Sequence, residues 1–103
     1  MIIKSYNPAN NELLGQIETT SLTDIPNIVN NSKLAFESWG YLSLDDRLSY
    51  IQKLYEVIKS KKDEFAKLLT NEMGMPISES LFDVESGLEH IQWYIDNAKN
   101  IIG

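Results

Sequence analysis

The sequence predicts a mainly α-helical fold opened by a β-hairpin, with about four amphipathic helices. Three observations carry this. Two β-prone runs near the N-terminus flank a cluster of turn formers. From Ile25 onward, apolar residues recur in steps of three and four. Cap residues, glycine and proline then divide that helical stretch into segments. The expected organisation is a hairpin over residues 1–20 and a helical segment over residues 21–103.

The first element is IIKSY, residues 2–6. The run NPANNE follows, where Pro8 fixes φ and Asn7, Asn10 and Asn11 tolerate left-handed backbone. LLGQIETT then returns as a second strand, across a loop of about five residues. A lone two-stranded hairpin is marginal in water, so it should lean on another element.

The first helix shows a stripe of Ile25, Ile28, Val29, Ala35, Phe36 and Trp39, with Ser32 filling the gap. Ser21 or Thr23 is the expected N-cap, and Pro26 favours Thr23 because proline is tolerated in a first turn. Gly40 is placed to end the helix. Ser43 opens the second helix with Asp46 three residues on, a variant of the capping box. Leu44, Leu48, Ile51, Leu54, Tyr55 and Ile58 form its stripe, until the polar run Lys59 to Asp63 interrupts it. Phe65, Ala66, Leu68, Leu69 and Met73 make a short third helix, with Asp63 and Glu64 at its electropositive start.

The segment TNEMGMPISES, residues 70–80, admits two readings. Two methionines beside a glycine suit an adaptable binding loop. Gly74 followed by Pro76 is also how one helix stops before another, and that junction is the preferred reading. Beyond it, Ile77, Leu81, Val84, Leu88, Ile91, Ile95, Ala98 and Ile102 form the most regular stripe in the chain.

Composition restricts the function. The 103 residues suffice for one small domain, and 43% hydrophobic with 23% charged content is that of a soluble globular chain. A net charge of −6 argues against nucleic acid and anionic membrane as partners, since phosphate recognition needs a basic patch. There is no cysteine, which removes disulfides, thiolate nucleophiles and sulfur-ligated metals together. The N-terminus has no signal-peptide pattern and no run is apolar enough to span a bilayer, so a cytoplasmic location is expected.

Residues that could carry chemistry do not assemble into a motif. His90 is the only histidine, so no zinc site can be completed around it. Glu79 and Asp83, and Glu85 and Glu89, are like-charged pairs one turn apart; a solvated acidic face, or one that meets basic residues of a partner, explains them better than a catalytic dyad. The glycines are too scattered for a phosphate-binding loop, and no serine sits in a nucleophile elbow. Gly87 lies inside the last helix, where it costs about 1 kcal/mol against alanine; a close helix contact would account for it, and so would chance. Trp39, Trp93 and Tyr94 read as packing anchors rather than a cofactor box. No catalytic, cofactor-binding or metal-ligating residue is assigned.

The order of these signals nevertheless resembles the N-terminal region of the NAD(P)-dependent aldehyde dehydrogenase family. Tyr6-Asn7-Pro8-Ala9 followed by Leu14-Gly15-Gln16-Ile17 is similar to its opening hairpin. Ala35-Phe36 with Trp39, and Arg47-Leu48 with Ile51, Leu54 and Ile58, resemble its next two helices. Glu72-Met73-Gly74-Met75-Pro76-Ile77 resembles its helix junction, with Met75 where lysine is usual, and Trp93-Tyr94 falls where an aromatic pair is common. The junction, Asp83-Val84 and Trp93-Tyr94 together resemble the succinate-semialdehyde branch.

That resemblance implies the N-terminal part of an α/β fold and NAD or NADP as the cofactor of the full-length family. It also implies a reaction begun by a cysteine thiolate at the aldehyde carbon. The family's cofactor site and catalytic cysteine lie downstream of the matched region. The expectation is therefore a truncated N-terminal fragment that is inactive and binds no cofactor, with helix faces left uncovered and prone to self-association. The rival expectations are a stand-alone helical interaction module and an acidic helical protein of unrelated ancestry.

Overall fold

The computed structural model describes all residues 1–103. It contains strands β1 (Ile2–Tyr6) and β2 (Leu13–Glu18), then helices α1 (Ile25–Tyr41), α2 (Leu44–Ser60), α3 (Lys62–Met73) and α4 (Ile77–Ile102). The hairpin and four helices are those expected from the sequence pattern.

β1 and β2 pair antiparallel, from Ile2 opposite Glu18 to Tyr6 opposite Leu13. The register shifts between Ser5 and Tyr6, leaving Leu14 as the extra residue of a bulge. In the loop the side chains of Asn7 and Asn10 accept from the backbone N–H groups of Ala9 and Glu12, each at 2.9 Å. Asn11 adopts a left-handed φ of 60°. The three asparagines thus build the turn by local hydrogen bonding and tolerance of positive φ.

The start of α1 differs from the expected one. Asp24, not Thr23, is the N-cap, and it makes no side-chain capping bond. The hydroxyls of Ser21 and Thr23 instead bond each other at 2.7 Å, which withdraws both from the helix start. Pro26 still lies in the first turn. The end of α1 also differs: Gly40 is helical, and the helix runs on to Tyr41 before Leu42 turns extended. Ser43 then starts α2 at once, so the stop is set by the next helix's cap rather than by the glycine. Ser43 Oγ accepts from the Asp46 backbone N–H at 3.1 Å and donates to the Asp46 carboxylate at 2.7 Å.

A single residue, Lys61, separates α2 from α3. Gly74 ends α3 with φ of 73°, and its N–H donates to Thr70 O. Pro76 then begins α4, so residues 70–80 are a helix junction. At 26 residues α4 is about 39 Å long, and it packs along both α3 and α2.

The core lies between α3 and α4 and is small. Ala66, Leu88 and Ser80 are the three buried residues of the chain. Ala66 and Ser80 are wholly inaccessible, and their small side chains let the two helices approach closely. Ser80 Oγ and Thr70 Oγ1 share a hydrogen bond of 2.7 Å, which satisfies the buried hydroxyl. The hairpin leans on α3, where Ser5 Oγ donates to Glu72 Oε1 at 3.0 Å. By contrast α1 buries none of its residues and packs extensively on no other element.

The molecule is consequently a plate of 48 × 40 × 19 Å, about two helices thick. Its radius of gyration is 17.9 Å, against about 13 Å for a compact domain of this length. A compact protein of 11.8 kDa exposes about 5,900 Å² by surface-to-mass scaling, so the 8167 Å² seen here is in excess by roughly 2,300 Å².

Candidate functional site

The residues singled out by the sequence are distributed along the plate rather than gathered at one point. His90 is exposed, and its Nδ1 lies 2.7 Å from Ser86 O one turn back on α4. No group of three His, Asp or Glu side chains is arranged to hold a metal ion. Glu85 is drawn away from its like-charged neighbours by Lys62 of α3, whose Nζ lies 2.9 Å from Glu85 Oε1. That hydrogen bond and the carboxylate charge raise the Lys62 pKa above its ordinary 10.5. A basic partner for the acidic face therefore comes from within the chain.

The aromatic residues anchor less than expected. Trp39 packs obliquely on Tyr50, with ring centroids 5.6 Å apart, which ties the end of α1 to α2. Trp93 and Tyr94 meet edge to face at 5.3 Å, yet 51% and 62% of their surfaces stay exposed. Gly87 corrects an expectation too. A Cβ placed there would meet nothing within 4 Å, so no close helix contact explains it. It lines instead an apolar cleft of about 280 Å³ with Ile58, Phe65, Val84, Leu88 and Ile91.

The largest concavity is an open groove of about 680 Å³ between α2 and α4. Tyr55, Leu88 and Trp93 supply its apolar lining; Lys59, Glu89 and Asp96 are among its charged residues. Lys59 Nζ sits 5.8 Å from the centroid of the Tyr55 ring, and Gln92 donates to Asp96. Tyr55 and Leu88 were legible as stripe residues, but the groove was not, because its two sides come from helices that are distant in sequence.

The second structured locus joins the hairpin to the α3–α4 junction. A Cβ placed on Gly74 would lie 2.9 Å from Pro8 Cγ, so the proline ring rests on the bare glycine backbone. With the Ser5–Glu72 bond, this contact holds the two ends of the hairpin–helix system together. The arrangement positions structure; it gathers no nucleophile, base and electrophile at one spot.

Comparison with known proteins bears on this architecture. The sequence profile of the aldehyde dehydrogenase family matches residues 1–103. The mitochondrial succinate-semialdehyde dehydrogenase of Oryza sativa subsp. japonica is 31% identical over 101 residues, which are 98% of this chain and 19% of that protein. A glutarate-semialdehyde dehydrogenase of Pseudomonas putida is 26% identical over 98% of this chain and 21% of its own. Among solved structures, an aldehyde dehydrogenase from Bartonella henselae superposes with a TM-score of 0.91 at 27% identity, over 98% of this chain and 21% of that one. The chain thus spans about a fifth of the length of the relatives it matches.

Proposed function

The chain belongs to the aldehyde dehydrogenase family, and from that premise we propose that it is the N-terminal segment of a semialdehyde dehydrogenase, contributing structure and no catalytic group. The semialdehyde assignment is supported by the names of the rice and Pseudomonas relatives. The observation that carries the structural role is the absence of cysteine from a chain that otherwise matches the family along its whole length. Oxidation of an aldehyde through a covalent intermediate needs an activated nucleophile. Two hydroxyls do donate to carboxylates, Ser43 to Asp46 and Ser5 to Glu72, but the first is a helix cap and the second ties the hairpin to α3, and both are exposed with no oxyanion donors gathered beside them.

The family implies NAD or NADP, and the residues present do not fit a dinucleotide. The one sheet is a two-stranded antiparallel pair, whereas the phosphate-binding fingerprint needs a strand running through a glycine-rich turn into a helix. No such turn exists here: the strand-to-helix segment, residues 19–24, contains no glycine. On this reading the chain binds no cofactor. No helix is long and apolar enough to cross a membrane.

An isolated plate with this much apolar surface self-associates on this reading. The test of inactivity is to incubate the purified chain with succinic or glutaric semialdehyde and either nicotinamide cofactor. No reduced nicotinamide is expected, and its steady production would refute the proposal. A second reading, a helical interaction module with no catalytic continuation, is favoured by the unpacked α1. The DNA beyond the Gly103 codon separates the two: a continuation encoding a cysteine-bearing dehydrogenase core supports the first.

A further inference from the structure

The hairpin reaches the α3–α4 junction through its turn, and the peptide bond between Asn7 and Pro8 lies at the centre of that turn. We infer that the isomer of this one bond gates docking: the trans form seats the hairpin on the junction, and the cis form keeps it detached while α3 and α4 are already packed together.

Four contacts converge on the bond. The Asn7 N–H donates to Glu12 O at 2.9 Å. The Asn7 carbonyl, which belongs to the bond itself, accepts from the Asn11 N–H at 2.8 Å. The Ala9 N–H reaches back across the proline to Asn7 Oδ1 at 2.9 Å. The fourth contact is long-range: Pro8 Cγ lies 2.9 Å from where a Cβ of Gly74 would stand, so the ring fills that space. Beside it, Ser5 Oγ bonds Glu72 across 67 residues of sequence. All of these contacts are internal to the chain, and none is an exposed face in want of a cover.

The bond is trans, as is every peptide bond of the chain. A cis bond would shorten the Cα–Cα distance from about 3.8 Å to about 2.9 Å and turn the chain at that point. The Asn7 carbonyl and side chain would then point away from Asn11 and Ala9 while the ring held its place, or the ring would leave Gly74 while the turn held. The local bonds and the distant seat are met together only in trans.

Timescales make this a gate. In an unfolded chain about 10–30% of X–Pro bonds are cis. Their exchange takes about 10–100 s at 25 °C, whereas helices form in about a microsecond. A chain that starts with Asn7–Pro8 in cis therefore packs α3 on α4 first and leaves residues 1–20 as a lone ribbon, which is marginal in water.

The other two prolines act elsewhere. Pro26 lies in the first turn of α1, which packs extensively on no other element. Pro76 begins α4, and its carbonyl accepts from the N–H groups of Glu79 and Ser80, both at 3.0 Å. Its wrong isomer would delay α4 together with the hairpin. Only Pro8 separates the two events.

The experiment unfolds the 103-residue chain in denaturant, either for a few seconds or for many minutes, and refolds it at 25 °C. Pulses of hydrogen exchange then report when the strand amides of β1 and β2, and the amides of α3 and α4, become protected. After brief unfolding, which keeps the native isomers, both sets should be protected together. After long unfolding, about 10–30% of molecules should protect the strands only after about 10–100 s, with α3 and α4 protected at once. A prolyl isomerase should shorten that delay about tenfold or more, and Pro8→Ala should abolish it, while Pro26→Ala leaves it in place. The isomerase is applied to the unaltered chain, so a Pro8→Ala hairpin too weak to dock still leaves a decisive result.

Prompt strand protection after long unfolding would overturn the inference. So would a delay shared equally by α3 and α4, a delay that survives Pro8→Ala or ignores the isomerase, or strands that gain no protection at any time.

Discussion

Gly74 meets two demands at one position. Its φ of 73° disfavours any residue with a Cβ, and the space a Cβ would take is filled by Pro8. Gly74→Ala should therefore destabilise the fold by about 1–2 kcal/mol from backbone strain alone, with the clash adding to it. Amide exchange should show the hairpin losing protection before α2 does. Gly87 gives the opposite outcome. Its Cβ position is open, so Gly87→Ala gains helix propensity and should stabilise by roughly 0.5–1 kcal/mol in a thermal melt. The sequence distinguished the stop at Gly74, which Pro76 follows, but its link to Pro8 was invisible, because no local pattern reports a contact between residues so far apart. For Gly87 the sequence left a close contact and chance both open, and the structure shows no close contact, only a place in the lining of a cleft. Lys62 has a pH signature. Its pKa is raised in the fold, so the ion pair with Glu85 stabilises fully below 10.5 and fades as pH climbs through the higher folded value. Lys62→Met should remove that alkaline loss of α3–α4 protection and lower protection at neutral pH by the same small amount, because the pair is exposed.

At the scale of elements, periodicity and punctuation located every helix, because each stripe and each stop signal is local. The ends were less legible. Ser21, Thr23 and Asp24 are all competent caps; Asp24 takes the position without a side-chain bond, while the two hydroxyls bond each other. Ser43 was unambiguous, and its box with Asp46 is present. Ser43→Ala should lower stability by about 1 kcal/mol, seen as a lower Tm and as fraying confined to the first turn of α2. The contact of α3 with α4 rests on small residues, which hydrophobic stripes do not reveal. Ala66 sits on its stripe, but Ser80 is polar and lies off it, and both are wholly buried. Ser80→Ala breaks the bond to Thr70 and should reduce stability by about 1 kcal/mol. Ala66→Leu must push two helices apart and should cost more, about 1–3 kcal/mol.

For the molecule as a whole, the sequence conveyed the inventory of parts and the family, and left their enclosure open. Three buried residues in 103 are too few to close a core: the stripe of α1 is exposed along its length, and that of α4 is covered only in part, with its end residues Ile77 and Ile102 exposed. Dyes that fluoresce on apolar surface should accordingly bind the native chain, and binding should fall when its faces are covered by association. A native state that excludes such dyes at dilute concentration would contradict the exposed faces described above. Composition could not have signalled this, since 43% hydrophobic residues are ordinary for a closed domain. What composition lacks is any record of which faces meet.

The seating of Pro8 on Gly74 also sets an order of events during synthesis. The first twenty residues leave the ribosome early, but a two-stranded ribbon is barely stable unsupported. Its support includes Glu72 and Gly74, which emerge only after α2 and most of α3 have been made. The hairpin therefore stays only marginally formed and open to proteases until the turn that anchors it exists.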